Sequence, residues 1–137
     1  MKPGVETSVG VYEFTVTDEM TARLDDLVLH PVYATFWCGY HAEVASRLAI
    51  EPFFEAGENA VGTALCLKHL AMAAVGAQMC VEARVSSVAG RRIRCDVTVM
   101  AVKTKTLLAE GYQDQVVLRT EVLADKVASR TLTLTFL

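Results

Sequence analysis

A chain of 137 residues and 14.9 kDa is expected to form one domain over 1–137, and 53% hydrophobic with 21% charged residues excludes intrinsic disorder. Thirteen basic against sixteen acidic residues give a net charge of −3, which argues against nucleic acid as a partner. No run approaches the ~18 apolar residues of a membrane span, so a mean hydropathy of +0.33 implies a large core, or a core extended by an oligomer interface.

Gly10 to Val16 alternates, with Tyr12, Phe14 and Val16 on one face, as a half-buried strand does. Thr17 to His30 is polar and acidic around Asp25-Asp26 and reads as a lead-in loop or short helical turn. Pro31 suits a helix start. From Val32 to about Ile50, Trp37, Tyr40, Val44 and Leu48 recur at helical spacing and predict one apolar helix face, ended by Pro52 and Gly57. The period then changes to two. Val61, Thr63, Leu65, Leu67, His69 and Ala71 are expected on one face of a strand, with Gly62, Ala64, Cys66, Lys68 and Leu70 on the other. Gly76, Ala89-Gly90 and Lys103-Thr104-Lys105 mark turns between further strands, the last running from about Thr106 to Arg119. The tail reads as a helix over Val122 to Val127 and then as an alternating end at Leu132, Leu134 and Phe136.

One strand, one long helix and four antiparallel strands make an α+β layout. A sheet with one apolar face must cover it, and a single helix is available to do so. The expected fold is the hot-dog arrangement, a curved antiparallel β-sheet wrapped around one long central α-helix. One helix covers five strands poorly, so a homodimer is expected, with pairing of dimers into tetramers left open.

Three residues invite chemistry. Glu43 is a carboxylate in the middle of the helix, His69 an imidazole on an inward strand face, and Thr35 a hydroxyl near the helix start. Each also has a plain structural reading: an ion pair of Glu43 with Arg47 at i, i+4, a satisfied core histidine, and an N-cap. His41 shares a helix face with Trp37 and Val44 and reads as packing or interface. No His or Cys pair has metal-ligand spacing, so no metal site is expected. Cys38, Cys66, Cys80 and Cys95 lie far apart in apolar runs, and the first twenty residues hold four acids and no apolar segment. Free buried thiols in the cytoplasm are the expectation.

The residues Val32-Tyr33-Ala34-Thr35, then Glu43, then Gly62-Thr63-Ala64-Leu65-Cys66-Leu67-Lys68-His69 resemble the hot-dog acyl-CoA thioesterases, and most of all the fluoroacetyl-CoA thioesterase family. That family carries a threonine, a glutamate eight residues on and a histidine twenty-six beyond it, the spacing of Thr35, Glu43 and His69 here. Val88-Ala89-Gly90-Arg91-Arg92 resembles its V-E-G-R-R hairpin, and Gly111 falls on the glycine of its last strand. The resemblance covers roughly 28–119 and implies hydrolysis of a small acyl-CoA, with Thr35, Glu43 and His69 catalytic. Coenzyme A then enters as part of the substrate, with no other cofactor.

Where the family's last strand reads G-x-H-x-R, this chain has Gly111, Tyr112, Gln113, Asp114 and Gln115. The family's aromatic lid position falls on Leu29. Selectivity for a fluorinated acetyl group is therefore not expected, and the acyl pocket is assigned to Leu29, Phe36, Gly39, Tyr40, Gly62 and Gln115. By the resemblance, Glu43 attacks the carbonyl or activates water, Thr35 assists it and His69 orients or transfers protons. A carboxylate in an apolar helix environment is expected to keep little hydration. A backbone amide near Gly39 or Gly62 is the candidate oxyanion contact. If Thr35 and Glu43 share one regular helix they stand ~12 Å apart. The site is then expected to lie at the dimer interface. A non-catalytic acyl-CoA-binding module and a hot-dog dehydratase remain the alternatives.

Overall fold

Helix and sheet meet most closely at Gly10. A side chain there would put its first carbon 2.0 Å from the Ala45 carbonyl oxygen and 2.5 Å from the Ala49 nitrogen. Only a glycine lets the two backbones approach so far. The computed structural model describes residues 1–129, and Leu132, Leu134 and Phe136 lie outside them. In chain order the elements are β1 (Val9–Thr15), β2 (Thr21–Leu24), β3 (Leu27–Tyr33), α1 (Thr35–Ile50), β4 (Glu58–His69), β5 (Gln78–Ala89), β6 (Arg92–Ala101), β7 (Thr106–Arg119) and α2 (Thr120–Ala128). Five strands form one antiparallel sheet in the order β1-β5-β6-β7-β4, and β2 with β3 makes a separate hairpin.

That hairpin replaces the expected lead-in loop. Asp25 and Asp26 both adopt positive φ, at 47° and 65°, the backbone of a tight hairpin turn that short polar side chains tolerate. Pro31 consequently sits in β3 rather than at the helix start, and α1 begins at Thr35. The turns at Gly76, Gly90 and Lys105 fall where expected, each with positive φ.

The helix face that meets the sheet is not the expected one. Cys38, Ala42, Ala45 and Ala49 are buried at i, i+4, i+7 and i+11, and α1 packs chiefly on β1 and β5. Small residues win this face because the axis lies so close to Gly10. Tyr40 and Leu48 are exposed and Trp37 and Val44 half-buried. Below the helix, Met79, Val81, Val97, Val99 and Ile93 fill the core, each burial worth about 1.5–3 kcal/mol.

His41 is a core histidine. It is 1% exposed, lies 2.8 Å through Nδ1 from the Tyr33 hydroxyl, and is ringed by Tyr12, Phe14, Tyr33, Trp37 and Tyr40. Burial pushes its pKa down to about 4, so it is neutral at pH 7. The four cysteines are free; Cys38 and Cys95 are buried as expected, whereas Cys66 is exposed and Cys80 intermediate.

With α1 over β1 and β5, the β4 margin of the sheet is left uncovered. Gly62 to Cys66 are exposed, and β4 has a neighbour on one side only, β7. No helix among the described residues is long and apolar enough to cross a membrane.

Candidate active site between the helix and the open strand

The site is built by a break in the strand alternation. In the β4–β7 ladder Gly62 pairs with Gln115, Ala64 with Asp114 and Leu65 with Gln113, so Thr63 is an extra, bulged residue. Strict alternation would place Gly62 and Leu65 on opposite faces. The bulge turns both toward α1. Leu65 Cδ2 would lie 3.1 Å from a side chain on Gly39, and a side chain on Gly62 would lie 3.0 Å from Glu43 Oε1. Thr63 itself turns away, its hydroxyl 3.3 Å from the Asp114 carbonyl oxygen.

Glu43 thus leans over the bare backbone of Gly62. The ion pair expected with Arg47 is not formed: Arg47 instead holds Glu51 at 3.3 Å and donates to Asn59 Oδ1 at 2.6 Å. Glu43 makes no ion pair among the described residues, and it is exposed, not enclosed in an apolar helix environment as expected. A groove of about 450 Å³ runs beside it, lined by Tyr40, Glu43, Arg47, Ala60 and Gln115 among others.

Of the assigned residues, Glu43, Gly39, Tyr40, Gly62 and Gln115 come together here. Phe36 lies on the same helix but stands out into solvent, 74% exposed. Leu29 belongs to β3 of the separate hairpin, outside the groove lining.

Thr35 and His69 do not join Glu43 within one chain. Thr35 is the first residue of α1 and Ala34 holds the N-cap position, so Thr35 is not the N-cap, and it lies ~12 Å along the axis from Glu43. His69 ends β4, seven residues from Gly62, which is about 20 Å along a strand. It pairs with the fully buried Ala109 but is itself exposed. Helix and strand run in opposite senses, Glu43 over Gly62 and Gly39 over Leu65. Neither Thr35 nor His69 lines the groove beside Glu43.

Sequence reading missed Gln113. It faces α1 beside Gln115, and a side chain on Gly62 would lie 3.1 Å from Gln113 Nε2. Both glutamines are buried, at 2% and 4% exposure. The available signal was alternation, which puts Gly111, Gln113 and Gln115 on one face of β7.

A family profile described as fluoroacetyl-CoA-specific thioesterase matches residues 16–121. The fluoroacetyl-CoA thioesterase of Streptantibioticus cattleyicolor is 32% identical over 100 residues, 73% of this chain and 70% of that protein. Among solved structures, a Thermus thermophilus hypothetical protein of the thioesterase superfamily superposes with a TM-score of 0.87 at 36% identity, over 95% of this chain and 97% of that one. A fluoroacetyl-CoA thioesterase structure superposes with a TM-score of 0.81 at 27% identity, covering 91% and 96%. A hot-dog-like protein from Thermanaerovibrio acidaminovorans, at 20% identity, a TM-score of 0.82 and coverage of 95% and 93%, matches in fold. The sheet and its packed helix are the hot-dog fold.

Proposed function

The chain belongs to the fluoroacetyl-CoA-specific thioesterase family and hydrolyses acyl-CoA thioesters, and we propose that its substrate is a small acyl-CoA cleaved by Glu43 with Thr35 and His69. The observation that carries the assignment is the placement of Glu43: its carboxylate leaves Arg47 to other partners and hangs over Gly62 at the mouth of a groove. Glu43 either attacks the thioester carbonyl or takes the proton of an attacking water. The C–S bond then breaks, and the departing thiolate takes a proton from the partner's His69. Where Glu43 attacks, the acyl group is left on its carboxylate as an anhydride that water then cleaves; by either route the oxygen of water ends in the free acid, and no further cofactor is needed.

The complete site is assigned to a homodimer. The open edge of β4 offers unpaired backbone groups, and Leu65, Phe36, Tyr40 and Leu48 are exposed beside it. Antiparallel pairing of two β4 edges about an axis near Leu65 and Cys66 sets the partner's His69 opposite Gly62. It likewise brings the partner's Thr35 toward Glu43, closing the ~12 Å gap. Light scattering should give about twice the 14.9 kDa chain mass, or a multiple of it; a 14.9 kDa species at micromolar concentration would remove the shared site. The free thiols fit a reducing compartment such as the cytoplasm.

Release of free thiol from a panel of short acyl-CoAs tests the activity. Binding without release would identify an acyl-CoA-binding module. A change in the acyl chain's absorbance without release would identify a dehydratase.

The fluorinated substrate should not be strongly preferred. A small apolar difference in a pocket is worth ~1–3 kcal/mol, so larger discrimination needs a lid or a placed charge. Here the lid position is the exposed aliphatic Leu29 and the position of the family's arginine is the neutral, buried Gln115. The expected ratio of kcat/KM for fluoroacetyl-CoA over acetyl-CoA is below about a thousandfold, and a larger one refutes this assignment.

A further inference from the structure

We propose that Gln113 is a further catalytic residue, donating from Nε2 to the thioester carbonyl oxygen while Glu43 acts on the same carbonyl from across Gly62. The proposal rests on the reading of Glu43 as the reacting carboxylate.

Three observations carry it. Glu43 Oε1 and Gln113 Nε2 converge on one point: an atom standing on the Gly62 Cα would lie 3.0 Å from the first and 3.1 Å from the second. That point is vacant of side chain because residue 62 is glycine, and the Thr63 bulge turns it toward the helix. Gln113 is 2% exposed and its Oε1 is buried with no hydrogen-bond partner. A leucine or methionine would fill the same volume without an orphaned acceptor. The fold therefore holds a buried amide at a cost, with its donor end beside the open position at Gly62 that Glu43 also flanks.

The chemistry balances at that point. Attack on the carbonyl carbon forms a C–O bond and moves the π pair onto the carbonyl oxygen. The oxyanion so formed accepts the Gln113 N–H. Its collapse restores the carbonyl and breaks the C–S bond, and the thiolate leaves with a proton from the partner's His69. A neutral amide donor suits this role beside Glu43, since it stabilises developing charge without pairing to the carboxylate in the resting enzyme.

Gln113→Met tests it. The expected result is a fall in kcat of about 100- to 1,000-fold with KM within about threefold, while Tm stays level or rises because the orphaned acceptor is gone. A kcat within threefold of the parent overturns the proposal, and so does a fall in kcat that merely follows a loss of folded protein. Should Gln113→Met fail to fold, Gln113→Asn decides by the same pair of readouts. An independent readout is the carbonyl stretch of acetyl-CoA bound to Glu43→Gln. Adding Gln113→Met should move it to higher frequency, and no shift overturns the proposal. An active Glu43→Gln enzyme would instead sink the reading of Glu43. An inactive Glu43→Gln alongside an active Gln113→Met would sink only the role of Gln113.

Discussion

Replacing Glu43 with glutamine should leave a folded protein that has lost hydrolysis by about 100-fold or more. The substitution keeps the side chain's shape and removes its charge. A stabilising role would depend on that charge, yet Arg47 is engaged by Glu51 and Asn59, and Glu43 makes no ion pair among the described residues. Nothing that holds the fold is lost, so Tm should stay within a few degrees. A nucleophile or general base, by contrast, is eliminated outright: a neutral amide neither attacks a thioester nor accepts a proton from water. Thiol release under saturating acetyl-CoA, read beside a thermal melt, separates the two roles. A rate within threefold of the parent would return Glu43 to the exposed surface of the helix as an ordinary solvated acid.

The sequence exposed some of this arrangement and hid the rest for physical reasons. The hairpin at Gly90 was legible because positive φ favours glycine there, and the one at Lys105 because the polar run Lys103-Thr104-Lys105 interrupts the alternation. The strand borders of β5, β6 and β7 followed from alternation that the structure keeps almost throughout. The β2–β3 hairpin was not legible, because Asp25-Asp26 serves a tight turn through aspartate's tolerance of positive φ rather than through glycine. The helix face was misjudged by ranking large apolar residues above small ones. What decides the contact is distance, and Gly10 brings α1 so near that alanines fit and Tyr40 and Leu48 do not.

The candidate site shows the same division. The spacing of Thr35, Glu43 and His69 was plain, but that they stand apart within one chain was not. That depends on α1 starting at Thr35 as one regular helix, and on the length of β4 between Gly62 and His69. Alternation assigned Gly62 to the face opposite His69. The bulge at Thr63 reverses that assignment, and a single extra residue leaves no mark in composition or period. Gln113 was hidden for another reason. A polar residue in a strand ordinarily reads as solvent-facing, and here it is buried with its acceptor unpaired.

The bulge also makes Gly62 the position where the smallest change should have a very large effect. Its φ is not positive, so backbone strain gives no reason for glycine there. Valine suits a strand better than glycine, both through its β propensity and through the lower entropy of its unfolded state. The first carbon of a valine would nevertheless arrive 3.0 Å from Glu43 Oε1 and 3.1 Å from Gln113 Nε2. Both are ends of flexible side chains and can swing aside, so the fold should absorb the change. Reacting geometry should not, because the valine occupies the space assigned to the thioester carbonyl and displaces the two groups that flank it. Displacement of this order costs about 100-fold in rate. Gly62→Val should therefore melt at or above the parent temperature while kcat/KM for acetyl-CoA falls by about 100-fold or more. Gly62→Ala should fall between the two enzymes. A valine variant that hydrolyses acetyl-CoA at the parental rate would show that the carbonyl binds elsewhere in the groove, away from both Glu43 and Gln113.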